Sequence, residues 1–239
     1  MKTVIITGGT RGIGAEISRK FLTEGWHVLI GARKKSGLAN ENHENIQFQE
    51  IDVANESDHI ALIKLAFDWT GSFNCYINSA GFSCWLPLNA VNENIWNEMI
   101  STNLKGTFWG CKAAAANLTK GGTIINVSSL AGKRGSANNS LYCASKFGVN
   151  GLTQALAKEL GQSGIRVNAV CPVYVKTPGL VEALGNSNAP PRGHDINSYL
   201  EDFANSNAAL RRLPKGSEVA DLCFYLATSQ SSAITGQCI

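Results

Sequence analysis

Along this chain, apolar residues gather in short, nearly unbroken runs, separated by longer stretches in which they recur every three or four positions. The runs TVIIT (3–7), HVLIG (27–31), IQFQEI (46–51), FNCYIN (73–78), GTIINVS (122–128) and IRVNAV (165–170) read as strands. The stretches 12–25, 57–69, 94–118 and 141–161 carry the helical spacing and read as amphipathic helices. Strands that are apolar nearly throughout, each followed by a helix, imply a parallel sheet covered on both faces. The pattern therefore predicts an α/β, doubly wound fold.

One segment breaks the alternation. Residues 177–214 hold most of the prolines and many Asn, Ser and Gly residues. An excursion of this length within a compact unit is usually functional, so it is read as a substrate lid rather than a second domain.

Composition adds mainly exclusions. The 239 residues are 44% hydrophobic and 16% charged, ordinary for a globular protein. A net charge of +3, with Lys and Arg scattered, gives no footprint for nucleic acid. No stretch approaches the roughly 20 apolar residues of a membrane span, and the opening MKTVIITGG has too short an apolar run for a signal peptide. The seven cysteines are odd in number and lack C-x-x-C spacing, so no disulfide framework and no metal site is expected. A reducing cytoplasm fits these features best.

Candidate chemistry begins after the first strand, with TGGTRGIG (7–14) running into a helix. Gly8, Gly12 and Gly14 follow a G-x-x-x-G-x-G spacing. Residues without Cβ permit a tight turn and let the backbone approach a pyrophosphate, which then faces the free N–H groups of a helix start. At the end of the second strand, where an NAD-binding fold places an acid for the ribose 2′-hydroxyl, Gly31 and Ala32 stand instead, followed by Arg33. Arg11 supplies a second cation from the glycine loop. Arginine clamps phosphate through paired hydrogen bonds, so NADP(H) is the expected cofactor.

Further on, YCASK places Tyr142 and Lys146 four positions apart, on one helix face. An ammonium beside a phenol favours its ionised form and would bring its pKa toward working pH.

Together these residues resemble the short-chain dehydrogenase/reductase family. The matching motifs are TGGTRGIG, Asp52 and Val53 after the third strand, NSAG (78–81) after the fourth, Asn103, SSLAG (128–132), YCASK and CPVYVKT (171–177). The resemblance runs from Thr3 to the last residue and is strongest to 3-oxoacyl-(acyl-carrier-protein) reductases. It implies a single domain over 1–239, Rossmann-like, a three-layer sandwich with a mostly parallel central sheet of about seven strands. It also implies a homo-oligomer, tetramer or dimer, and a carbonyl substrate that is a small molecule or an acyl thioester.

The resemblance also assigns roles. Tyr142 is expected to be the acid/base and Lys146 to hold the nicotinamide ribose. Ser129, thirteen positions before Tyr142, would hydrogen-bond the reacting carbonyl, with Ser128 as a backbone-bonding neighbour. Asn103 would hold a water that connects to the lysine. Thr7, Gly8, Thr10, Arg11, Gly12, Ile13 and Gly14 would meet the cofactor at the first turn. Arg33, Asp52, Val53, Asn78, Ala80, Gly81, Pro172, Val175 and Thr177 would complete its site with Tyr142 and Lys146. An apolar pocket is expected from Phe82, Cys84, Trp85 and Leu86 with Leu180, Val181, Leu184, Tyr199 and Phe203, unless these only pack the lid. Arg134 and Arg192 are candidates for a basic rim facing an acidic carrier.

Three positions depart from the family pattern: Ser79 for a second Asn, Val173 for Gly, and Ile239 where relatives continue, which would shorten the last strand. The expected function is NADPH-dependent reduction of a ketone. An NADP-dependent alcohol or sugar dehydrogenase and a non-catalytic NADP(H) sensor are the alternatives.

Overall fold

The computed structural model describes residues 2–41 and 43–239. Its strands are β1 (Thr3–Thr7), β2 (His27–Ala32), β3 (Ile46–Glu50), β4 (Cys75–Asn78), β5 (Thr123–Val127) and β6 (Arg166–Val170). All the strand pairs among the described residues are parallel, in the order β3-β2-β1-β4-β5-β6. The order reverses between β1 and β4, and the crevice beyond the carboxyl ends of these strands is where such sheets bind ligands. A seventh strand is barely formed. Residues 236–239 run beside β6 through Ala169 N–H to Gln237 O (2.8 Å) and Ile239 N–H to Ala169 O (2.9 Å), with one bridge, Ala169 to Cys238.

The helices are α1 (Gly12–Thr23), α2 (Glu56–Thr70), α3 (Glu93–Ile100), α4 (Gly106–Ala115), α5 (Ser140–Leu160), α6 (Pro178–Leu184), α7 (Ile196–Asn207) and α8 (Gly216–Ala227). Successive strand residues point to opposite faces, and the apolar runs feed two cores. Val4, Ile6, Val28 and Ile30 pack with Ile17 and Phe21 of α1 and with Val219, Cys223 and Leu226 of α8. Ile5, Leu29, Tyr76, Ile124 and Val167 pack with Leu62 and Ala66 of α2, Cys111 and Ala114 of α4 and Ala157 of α5. The three layers follow from that alternation.

The helices differ from the pattern reading in two respects. Helices α6, α7 and α8 are not among the expected elements, although the buried residues Val219, Ala220, Cys223, Leu226 and Ala227 of α8 keep helical spacing. The single helix expected over 94–118 is interrupted at Ser101–Lys105 by a turn of π-helix, which joins α3 to α4.

Candidate active site

The glycine loop leaves β1 and folds against β4. Gly8 N–H bonds Gly31 O at 2.7 Å. Gly8 adopts φ +70°, and a Cβ there would sit 2.7 Å from Ala80 Cα. A Cβ on Gly14 would fall 2.2 Å from Gly8 O. Only glycine allows these approaches. Helix α1 starts at Gly12 with no acidic residue in its first turn and no side-chain cap from Arg11. Its leading N–H groups thus face the crevice without a competing anion, the condition for holding a phosphate. Ile13 packs on the core beneath, and Thr7 Oγ1 accepts from Ser79 N–H at 3.3 Å.

Arg11 and Arg33 are both exposed, and neither takes part in an ion pair among the described residues. The turn after β2 lies against the glycine loop, since a Cβ on Gly37 would be 2.7 Å from Thr10 O. At Gly31 a Cβ would meet Ile51 Cδ1 at 2.7 Å and Leu62 Cδ2 at 2.9 Å, so the core leaves no room for an acidic side chain there.

Beyond β3, Asp52 is exposed and its Oδ1 accepts from Ala54 N–H at 2.9 Å. Val53 is buried. Beyond β4, Ala80 backs the glycine loop and Gly81 lies beside Asn103 and Lys146. The side chain of Asn78 does not reach the crevice. It is buried, with Nδ2 donating to Asn126 Oδ1 at 2.9 Å, because Gly110 of α4 crowds its other side.

Four polar residues converge at the carboxyl edge of β5. Ser129 follows the strand and its hydroxyl accepts from Ala131 N–H at 3.1 Å. Ser128 turns inward and donates to Lys146 O at 3.2 Å, the backbone-bonding place the sequence suggested for it. Tyr142 stands in the first turn of α5. Although it is only partly buried as a residue, the protein packed around its hydroxyl pushes its pKa up, and the nearby Ser129 hydroxyl partly offsets that rise. Lys146 is buried, its Nζ donates to Val127 O at 2.9 Å, and burial lowers its pKa to about 8.

These directions correct one expectation. The lysine does not depress the tyrosine: burial acts on each separately, upward for the phenol and downward for the amine.

Asn103 is fully buried within the π turn, and so is no helix-surface residue. Its Oδ1 accepts from Phe82 N–H (3.0 Å), while Nδ2 donates to Phe82 O (2.8 Å) and Ser145 Oγ (3.2 Å). Ser145 in turn donates to Tyr142 O at 2.7 Å. Sequence reasoning gave Ser145 no role; its only signal was its place inside YCASK. The side chain of Asn103 therefore clamps the segment after β4 to α5.

After β6 the chain passes Pro172, whose carbonyl accepts from Leu130 N–H at 3.0 Å, and Val175, which is buried. Thr177 caps α6 by accepting from Leu180 N–H at 3.2 Å, and its methyl would lie 3.6 Å from a Cβ on Gly12. A cavity of about 370 Å³ opens beside Thr177 toward α1 and the start of α8, lined by Gly12, Glu16, Arg19, Thr177, Lys215 and Ser217 among others. Trp85 of the loop after β4 is buried together with Leu184 and Leu200 of segment 177–214, with Leu180 and Tyr199 packed against them. For these residues the packing alternative holds. The Tyr174 ring meets Phe203 at 4.8 Å, whereas Val181 faces outward.

A doubly wound sheet with a glycine-rich turn at its switch point, and a serine, tyrosine and lysine at the edge beside it, defines a nicotinamide-dependent oxidoreductase. The family model described as short chain dehydrogenase matches residues 2–186, and the chain belongs to that family. It is similar to the (S)-acetoin-forming diacetyl reductase of Staphylococcus aureus, 32% identical over 247 residues, covering 100% of this chain and 95% of the relative. It also resembles the 3-oxoacyl-(acyl-carrier-protein) reductase FabG of Chlamydia muridarum, 31% identical over 250 residues, covering 99% and 94%. A solved structure of an actinorhodin polyketide ketoreductase variant with NADPH superposes with TM-score 0.89 at 29% identity, covering 100% of this chain and 94% of that one. Among the described residues, no helix is long and apolar enough to cross a membrane.

Proposed function

We propose that the protein is an NADPH-dependent carbonyl reductase that converts a ketone to a secondary alcohol. The observation that carries this reading is that Ser129, Tyr142 and Lys146 meet at the carboxyl edge of β5, with the glycine turn packed against the neighbouring β4 segment. A phenol in that place can give its proton to a carbonyl oxygen, and the reductive direction is the one that the names of the diacetyl and 3-oxoacyl reductase relatives suggest.

The cradle fits a dinucleotide. The glycine turn and the uncapped start of α1 would hold the pyrophosphate, Thr177 and Val175 would border it, and Asp52 with Val53 would meet the adenine end. Arg11 and Arg33 would take a 2′-phosphate, and no acid stands at Gly31 or Ala32 for a 2′-hydroxyl. Bound nicotinamide supplies the hydride that reaches the carbonyl carbon. Ser129 donates a hydrogen bond to the carbonyl oxygen and orients it. The Tyr142 hydroxyl delivers its proton to that oxygen as the alcohol forms. Lys146, charged below about pH 8, sits behind the tyrosine and would hold the nicotinamide ribose.

The relatives' names suggest two ketone classes, a small diketone and a 3-oxoacyl thioester. The packed cluster of Trp85, Leu184 and Leu200 is compatible with a lid over either one. The reading supposes a single domain that works as a homo-oligomer in the cytoplasm.

Following NADPH absorbance with diacetyl, with a 3-oxoacyl thioester and with a panel of other ketones tests the reading. Consumption with at least one ketone is expected. Tight NADPH binding without consumption of any would replace the reductase with a sensor, and faster turnover of alcohols with NADP would reverse the direction.

A further inference from the structure

His59 of α2 lies outside every motif considered above, yet it is completely buried. An imidazole in a hydrophobic layer is costly unless both ring nitrogens are satisfied. Both are: Nε2 lies 2.9 Å from Val53 O and Nδ1 lies 2.7 Å from the hydroxyl of Tyr76, itself fully buried on β4. A carbonyl can only accept, so Nε2 carries the hydrogen and Nδ1 accepts from the tyrosine. Burial lowers the pKa of His59 and keeps the ring neutral, as this pairing requires.

The relay ends on the turn after β3. Asp52 N–H is held by Asp58 Oδ2 at 2.7 Å, Asp52 O by Asn55 N–H at 3.0 Å, and the peptide after Val53 by His59 on its carbonyl and by Asp52 Oδ1 on Ala54 N–H. Three consecutive peptide planes are therefore fixed, and with them the directions of Val53 N–H and of the Asp52 carboxylate. A backbone donor beside a carboxylate acceptor matches the acceptor and amino donor on one edge of an adenine ring.

We propose that His59 and Tyr76 form a positioning pair that presets the Asp52–Ala54 turn for the adenine end of the nucleotide. The proposal rests on the cofactor reading above. It concerns binding alone, because neither residue hydrogen-bonds to Ser129, Tyr142 or Lys146 among the described residues.

The test compares His59→Phe, His59→Gln and Tyr76→Phe with the unaltered enzyme, using NADPH and reduced nicotinamide mononucleotide, which lacks adenosine. His59→Phe is expected to raise the Kd and KM for NADPH about tenfold, as for loss of one buried hydrogen-bond relay. Its kcat at saturating NADPH and its turnover of the mononucleotide should remain those of the unaltered enzyme. His59→Gln, which keeps a donor for Val53 O, should recover much of the affinity, and Tyr76→Phe should fall between. Thermal melting establishes which variants are folded, and if His59→Phe is not, the Gln and Tyr76→Phe pair carries the comparison. Unchanged NADPH affinity in the folded variants would overturn the proposal, as would an equal loss with the mononucleotide. Failure of the unaltered enzyme to bind NADPH would instead refute the cofactor reading.

Discussion

The Nζ of Lys146 lies 5.8 Å from the centroid of the Tyr142 ring, one helical turn away, while its hydrogen bond runs to the carbonyl of Val127 at 2.9 Å. The two groups are neighbours without being an ion pair. Burial costs each of them its charged form, so the phenol rises and the amine falls to about 8. The tyrosine accordingly holds its proton over the pH range in which the lysine begins to lose one.

This arrangement sets a pH dependence. Lys146 is charged below about pH 8 and neutral above it, with Tyr142 and Cys171 the other titratable groups facing it. The kcat/KM for ketone reduction, which reports the free enzyme, is expected to decline as pH rises through about 8. In Lys146→Arg, whose guanidinium stays charged, that decline should move to higher pH. A pH–rate series on both proteins checks this, and an alkaline limb left in place by the substitution would assign it to another group.

Removing the proton donor should cost more than removing the orienting hydroxyl's neighbour. Tyr142→Phe is expected to lower kcat about 10²- to 10⁴-fold, the usual range for a general acid, and Ser129→Ala about 10²- to 10³-fold. Ser128→Ala, which loses a bond to the Lys146 carbonyl, should mainly lower stability. Steady-state kinetics with melting curves separate these outcomes.

Cofactor choice should reside in two exposed guanidinium groups. Arg33→Ala is expected to raise the KM for NADPH about 10- to 100-fold, in line with a charged hydrogen bond of roughly 1.5–3 kcal/mol, and to leave the KM for NADH nearly unchanged. Arg11→Ala should act in the same direction. Equal losses with both nucleotides would place neither arginine at a 2′-phosphate.

Two glycines should respond in opposite ways. In Gly14→Ala the new Cβ would have to occupy a point 2.2 Å from Gly8 O, so the loop must open and NADPH binding should be lost. Gly151 of α5 has nothing within 4 Å of an added Cβ, and Gly151→Ala should raise stability by about 0.5–1 kcal/mol. Calorimetry and nucleotide titration distinguish the two.

Much of this molecule was readable from local pattern. Runs such as TVIIT are apolar at every position because both faces of the sheet are covered, and that signal survives without any knowledge of neighbours. The glycine loop and the i, i+4 pair of Tyr142 and Lys146 are equally local, since turn geometry and helical pitch depend on adjacent residues alone.

Other features depended on what distant segments bring together. Asn78 turns away from the crevice because Gly110 and Asn126 meet it there. Trp85 and Leu184 pack with each other because α6 and α7 fold back over the loop after β4. His59 could have been a surface residue of an amphipathic helix until Tyr76 and the Val53 carbonyl arrived from two strand ends. The same holds for the sign of the Tyr142 shift, which the neighbouring Lys146 ammonium led the sequence reading to expect downward and which burial turns upward. Spacing along the chain shows which groups can be neighbours, whereas the cost of their charge depends on how much water the rest of the fold removes.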